Sequence, residues 1–425
     1  MTDATIPATP DQPQGAAPVG GDRLTSLDFT RGIAVMGILA ANIVAFGQPP
    51  LAYTWPEGFL TPRSAVSDWL WLGQFVAVDG KMRGLFTLLF GAGLVLFMDR
   101  AWARGAGLGL QVRRLLWMLA FGLAHYYLLW RGDILAIYAL CGLAVLPCVR
   151  WRPVTQMAVG LTGYVFGALL STLSLGYLWA SSETGLRGSP GFADGARAVE
   201  AMIAGERSDG ARELAIRTDG SWLDMVAHTA ESHTWDWLLT LGQIFTETIP
   251  LMLIGMAFYR AGVFAGRLDA RRQAMWGWAG LAAGTAATLL LGLWVMGGGF
   301  TYARTLFAFI GASLFTRLPA VLGLAALLAL WGPKVTGWLG SRTVAAGRMA
   351  FSNYLGTSLV MLFVFSGWAF GLYGKLDRPQ LYLVVLATWV LMLAWSKPWL
   401  ARYRYGPLEW LWRCLTYGRM FPLQR

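Results

Sequence analysis

Charge is scarce in this sequence. Asp, Glu, Lys and Arg make up only 13% of its 425 residues, while 56% are hydrophobic; an ordinary soluble domain carries roughly a quarter charged residues. The shortage excludes a soluble globular chain, because one core cannot bury so much apolar surface and lipid must cover the rest. Cysteine is equally rare. Cys141 and Cys148 lie seven residues apart on one apolar stretch, which as a helix separates them by about 10 Å, beyond disulfide reach, and Cys414 stands alone. No disulfide framework and no Cys/His metal spacing follows. Histidine occurs only at His125, His228 and His233. No Walker loop, dinucleotide-binding glycine turn or Ser-His-Asp order is present either.

What is abundant points to lipid. The 52 glycines let helices approach closely in a bilayer, and the 22 tryptophans suit its two interfaces. Residues 1–22 have no Lys or Arg and no apolar run, unlike a secretory leader; residues 1–24 are expected to form a disordered cytoplasmic tail. Apolar segments long enough to span follow at about 27–47, 82–99, 113–130, 133–149, 154–179, 236–259, 274–297, 306–331, 348–372 and 379–396. The expected fold is all-α, a polytopic membrane bundle of about ten helices. Five spans (25–179) and five more (236–400) flank an outer-face loop at 180–235 with helical patterning, and residues 401–425 form a basic, aromatic interfacial segment. The Trp-rich stretch 67–79 reads as an interfacial helix or an outward extension of the second span.

Charge sets the orientation. Connections 99–114, 149–153, 260–273, 332–348 and 396–425 together carry +16, and the alternate set, 47–68, 131–133, 180–235, 297–305 and 373–378, carries −3. Basic loops stay in the cytoplasm, so both ends are expected inside. The net charge of +11 is matched by anionic lipid headgroups, with no nucleic acid needed. The halves show no sequence repeat of the transporter kind. Oligomeric state is not readable.

Ionisable residues at membrane depth are costly and mark candidate sites. Asp28 and Arg31 lie one turn apart at the first span's inner end and can pair. Asn42, eleven residues beyond Arg31, shares its face about 16 Å further out. The stripe reads equally as helix anchoring with Asn42 as interhelical glue. His125, the one histidine inside a span, is the natural proton-exchanging group there, with Asp133 placed to orient it; a plain interhelical hydrogen bond is the bland alternative. His228 and His233 are expected in solvent. Asp79, Lys81 and Arg83 beside Gly80 suggest a helix break at the outer rim. Glu247 and Arg317 are opposite charges near the middle of the sixth and eighth spans. Arg348 and Asn353 sit at the inner end of the ninth. Long loops such as 180–235 serve as lids, recognition surfaces or simple caps.

Four stretches together resemble the YeiB-like bacterial membrane proteins. They are Leu27-Asp28 with Arg31-Gly32, Gly37-Ile38 and Asn42; Gly80-Lys81-Met82-Arg83 with Leu89-Phe90-Gly91; Gly122-Leu123 and His125 with Trp130 and Gly132-Asp133; and Gly347-Arg348-Met349-Ala350 with Asn353-Tyr354, joined by Tyr405-Gly406-Pro407-Leu408-Glu409-Trp410. The resemblance covers about residues 25–410. It implies a bacterial inner-membrane protein distantly related to transmembrane acyltransferases such as heparan-alpha-glucosaminide N-acetyltransferase, with cytoplasmic acyl-CoA as donor and no metal. In the related polysaccharide acylators an arginine of the first helix precedes a catalytic histidine by eleven positions. Arg31 matches that arginine, but Asn42 stands where the histidine would be, and an amide is no base near pH 7. Either His125 takes that role or the acceptor is nucleophilic enough without a base, with Asp28, Arg31, Asn42, Lys81, Arg83, Glu247, Arg348 and Asn353 binding substrate. A transporter or flippase using the same buried charges, and a scaffold or sensor using the 180–235 loop, are the rival expectations.

Overall fold

The structure, a computed structural model, describes residues 24–187 and 189–425; apart from Leu24, the tail expected at 1–24 lies outside them. Among the described residues there are seventeen α-helices and no strand. They are α1 (Thr25–Gly47), α2 (Pro50–Thr54), α3 (Ala65–Ala77), α4 (Lys81–Trp102), α5 (Leu108–Leu128), α6 (Leu135–Val145), α7 (Pro153–Glu183), α8 (Ala193–Asp219), α9 (Trp222–Ser232), α10 (Asp236–Arg260), α11 (Ala270–Gly297), α12 (Tyr302–Leu306), α13 (Ser313–Trp331), α14 (Trp338–Arg348), α15 (Ala350–Phe365), α16 (Arg378–Arg402) and α17 (Pro407–Tyr417). Local chemistry sets several starts. Ser64 caps α3, Asp269 caps α11, and reciprocal capping boxes, Ser221 with Asp224 and Asp377 with Gln380, open α9 and α16.

Seven helical spans among the described residues are long and apolar enough to cross a membrane, or eight if α14 and α15 count as one broken span. Large apolar side chains face outward along them: Phe166 is 65% exposed, Leu290 69% and Val390 68%. Lipid is the solvent that makes this tolerable. The protein is a polytopic helical membrane protein. The third and fourth expected segments are also helical, but α5 carries Arg113 and Arg114 in its second turn, and α6 has only 11 residues before a 3-10 turn at Leu146–Arg150. The bundle is tied by glycine contacts. α4 and α10 approach so closely that a Cβ at Gly91 would lie 2.0 Å from the Met252 carbonyl oxygen, and one at Gly255 equally close to that of Leu88.

One open alternative is decided and two expectations need correction. The 67–79 stretch is the outward extension, since α3 and α4 run on as one 38-residue span. Its break, at Val78–Gly80 with Gly80 at φ +67°, lies inside the bundle rather than at the rim. Asp79 and Lys81 are 4% and 3% exposed because α3 carries the chain another 13 residues outward. The ninth span is not a straight helix over 348–372: α14 and α15 meet at an 88° bend at Met349, and residues 366–377 are irregular.

The charge alternation maps onto the fold. The five basic connections meet at one end, where Ser26 donates to the Phe264 carbonyl (2.5 Å), Arg260 donates to that of Val149 (2.7 Å), and the inner ends of α1, α4, α5, α14 and α17 line one cavity. The alternate connections meet at the other. There Gln48 donates to the Leu376 carbonyl, Trp55 to that of Phe300, and the Gly367 amide to that of Arg217. We refer to these as the basic end and the cap end, the cap being α8 and α9.

Candidate functional site

The basic end holds a cavity of about 940 Å³, near the upper bound of ordinary ligand pockets (on the order of 300–1,000 Å³). Eight arginines line it: Arg31 from α1, Arg100 and Arg104 around the end of α4, Arg114 from α5, Arg348 from α14, and Arg404, Arg413 and Arg425 from the C-terminal segment. Arg31 pairs with Asp28 at 3.1 Å. Arg114 lies between the Phe97 and Trp412 rings, 4.5 and 4.3 Å from their centroids, which fixes the guanidinium while satisfying part of its charge. The tail motif is a brace. Glu409 accepts from the Phe351 and Ser352 amides (2.8 and 3.1 Å) and so caps α15 just after the bend. Burial pushes the Glu409 carboxyl up, against those hydrogen bonds.

Halfway along the helices the charges close on one another. Glu247 is ion-paired to Arg83 and also accepts from Arg317 Nη1 (3.2 Å). Arg317 Nη2 donates to the Phe309 carbonyl (3.1 Å) and Ser313 Oγ (2.9 Å). That carbonyl belongs to a π-helical stretch, Phe307–Ala312, between α12 and α13, the kind of bulge that recurs at functional sites. Gly80 is obligatory beside it, since a Cβ there would lie 2.1 Å from the Arg317 guanidinium. Asp79 accepts from Gln74 (3.0 Å), whose amide oxygen takes bonds from Arg378 (2.9 Å) and Tyr382 (2.8 Å), while Lys81 donates to the Phe75 carbonyl (3.2 Å). Glu247 and Arg317, which the sequence places at similar depth without showing that they touch, are paired. Arg83 is the unforeseen third member.

Towards the cap end His125 and Asp133 meet. His125 Nδ1 is 2.7 Å from Asp133 Oδ1, and Asp133 Oδ2 accepts the Ala136 amide at 2.8 Å. That anchoring holds the carboxylate, and the carboxylate holds the ring. Both side chains are almost fully buried, at 0% and 1% exposure. His125 Nε2 has no hydrogen-bond partner among the described residues, and Tyr354 and Trp130 pack around the ring. Asn42 is half-buried on α1. Asn353, expected to contact ligand, instead spends its amide on structure. Its Nδ2 donates to the Ala346 carbonyl (3.0 Å) and Ser396 Oγ (3.1 Å), and its Oδ1 accepts from Trp395 (2.9 Å). It pins the α14–α15 bend and does not line the cavity.

The predicted site residues thus fall into three groups. Asp28, Arg31 and Arg348 line the cavity; Lys81, Arg83 and Glu247 lie mid-bundle; Asn42, His125 and Asp133 lie beyond. The cavity does not extend to His125. Past its wall along α1, buried Val35 and Ile38 pack in one cluster with Met82, Tyr138 and Tyr354. Sequence reasoning missed Arg100, Arg104, Arg114, Arg404, Arg413 and Arg425, which read as inner-loop and interfacial charges until the helix ends converge.

The 180–235 loop is a docked cap. Arg131, in the α5–α6 turn two residues before Asp133, is ion-paired to Glu213 of α8, which also accepts from Arg217 Nε (2.8 Å). Burial by itself would raise the Glu213 carboxyl, but Arg217 and Arg131 outweigh it and bring it down to about 2. His228 and His233 are not solvated as expected: their side chains are 5% and 11% exposed, because α8 and α9 fold over them.

Comparison with known proteins agrees with the resemblance. A family profile described as protein of unknown function (DUF418) matches residues 258–419. The uncharacterized protein YeiB of Escherichia coli (strain K12) is 31% identical over 404 residues, covering 93% of this chain and 96% of that protein. The uncharacterized protein YxaH of Bacillus subtilis (strain 168) is 29% identical over 427 residues, covering 95% and 96%. No solved structure matches. With that identity extending over nearly the whole of both chains, this protein belongs to the YeiB-like family of multi-pass membrane proteins.

Proposed function

We propose that this protein is an acyltransferase of the bacterial inner membrane, drawing on acyl-CoA at its basic, cytoplasmic end and serving an acceptor towards the cap end. The observation that carries the reading is the arginine-lined cavity. A nucleotide with several phosphates is the chemistry that a crowd of guanidinium groups recognises, through charge-assisted and bidentate hydrogen bonds. At the other end, Asp133 orients His125 so that the unpartnered Nε2 serves as base. An acceptor hydroxyl or amine gives its proton to Nε2 as it attacks the thioester carbonyl. The carbon–sulfur bond breaks, and the coenzyme A sulfur departs and takes up the proton. The acyl-bearing arm would pass along α1 through the apolar cluster at Val35, Ile38 and Met82, which must part to admit it.

The test is release of free coenzyme A thiol from acyl-CoAs of graded chain length by purified protein in nanodiscs. Release is expected from wild type and to fall by at least 100-fold in His125→Gln, in line with the roughly 10²–10⁴-fold contributed by a general base. Wild-type protein that neither binds nor consumes any acyl-CoA overturns the reading.

A second reading rests on a separate observation. A helix broken beside mid-depth charges, as at Gly80 next to Arg83, Glu247 and Arg317, is also how transporters build their binding sites. Uptake of a lipid or small metabolite into liposomes, lost in Glu247→Gln and without thiol release, would favour it.

A further inference from the structure

Two of the chain's three histidines meet inside the cap. Asp209 comes from α8, His228 from α9, and His233 is the residue that ends α9. Asp209 Oδ1 lies 3.0 Å from His233 Nε2 and 3.8 Å from His228 Nε2, and one ligand-type atom from each of the three residues fits within a 4.8 Å spread. Two ligands bound at about 2.0–2.1 Å on a tetrahedral zinc are about 3.3 Å apart, so the observed separations bracket the required one.

Four observations bear on a cation there. The His228 side chain is 5% exposed, yet neither ring nitrogen has a hydrogen-bond partner among the described residues. A buried imidazole pays for that unless something takes its lone pair. His233 Nδ1 is 2.7 Å from Asp236 Oδ2, the carboxylate–histidine pairing that directs the opposite nitrogen's lone pair at a metal. The chain at His233 is also held still, since Tyr126 donates to the His233 carbonyl (2.6 Å) and Tyr127 to that of Thr234 (2.8 Å). Arg131 approaches the other oxygen of Asp209, Oδ2, at 3.5 Å, leaving Oδ1 turned to the histidines.

We propose that Asp209, His228 and His233 bind one zinc ion. Two neutral imidazoles and a carboxylate suit zinc and its first-row neighbours, whereas magnesium and calcium want oxygen alone. The fourth position is left to water. The ion ties α8 to the α9–α10 junction, and so fastens the cap over the turn that carries Arg131 and Asp133. The assignment is independent of the acyltransferase reading.

The test uses full-length protein, freed of any histidine tag and stripped with chelator, then titrated with zinc and assayed for metal after desalting. One zinc per chain is expected, with at least a ten-fold loss of affinity in His228→Gln and in Asp209→Asn, and a roughly 10- to 100-fold loss in Asp236→Asn. Cobalt in place of zinc should give the visible bands of a tetrahedral nitrogen–oxygen site. Wild type that retains no zinc, full binding in His228→Gln, or a cobalt spectrum carrying thiolate charge transfer from the cysteines would each overturn the proposal. The cobalt spectrum of wild type decides the matter if a variant fails to fold.

Discussion

At the basic end, eight arginines from five segments surround an open cavity of about 940 Å³. At the cap end and in mid-bundle, charges of both signs close on one another: Arg131 and Arg217 on Glu213, Arg83 and Arg317 on Glu247. The two regions show what burial does to charge. Deep in the bundle a charge persists only with a partner and enough hydrogen bonds to replace water, so those groups chiefly hold helices together. At a wide mouth the same residue type can be massed, here eight arginines against Asp28 and Glu409, and the excess positive field is available to a ligand.

That contrast can be broken by substitution. The largest effect is expected mid-bundle. Glu247→Gln leaves Arg83 and Arg317 without their carboxylate and should cost about 3–5 kcal/mol of stability, read as a large fall in melting temperature in detergent. Arg31→Gln, at the mouth, should leave melting nearly unchanged but weaken acyl-CoA binding by about 10- to 100-fold, the size of a lost charge-assisted hydrogen bond. Equal melting losses in both variants would erase the distinction between the regions. Next comes Asn353→Ala, which frees the Ala346 carbonyl and Trp395 Nε1 at the α14–α15 bend. About 1–3 kcal/mol is expected for leaving such groups unsatisfied, with acyl-CoA affinity falling only through the displaced Arg348.

The smallest effect concerns acid. The Glu213 carboxyl is depressed in the folded cap, so its stabilisation is fully present above the ordinary carboxylate range near pH 4.5 and is lost as pH falls towards about 2. Melts between pH 5 and pH 3 should show the cap loosening before the bundle. Glu213→Gln should flatten that dependence. An acid response unchanged in this variant would mean that another group controls it.

Much of this arrangement is legible in the sequence. Apolar length finds the long spans, and loop charge correctly sorts their ends, because both follow from what lipid excludes. Asp133 can be set beside His125 from their closeness in the chain, whereas Glu247 and Arg317 are opposite charges at similar depth with nothing local to show that they touch. What escapes is tertiary. Nothing local announces the 88° bend at Met349, which is held by Asn353 through Ser396 and by Glu409, both partners remote in sequence. The depth of the Gly80 break depends on how far α3 continues outward. Loop arginines become a cavity only when five segments converge, and His228 and His233 look like surface residues until α8 covers them.

The central claim is that the basic end is a binding site for a phosphate-rich acyl donor. Titrating purified wild-type protein with acyl-CoA at rising salt tests it most directly. Saturable binding at one site per chain, weakened by salt, abolished in the Arg31→Gln/Arg404→Gln double variant and retained in His125→Gln, is the predicted result. No binding, or binding indifferent to salt and to those arginines, would contradict the account.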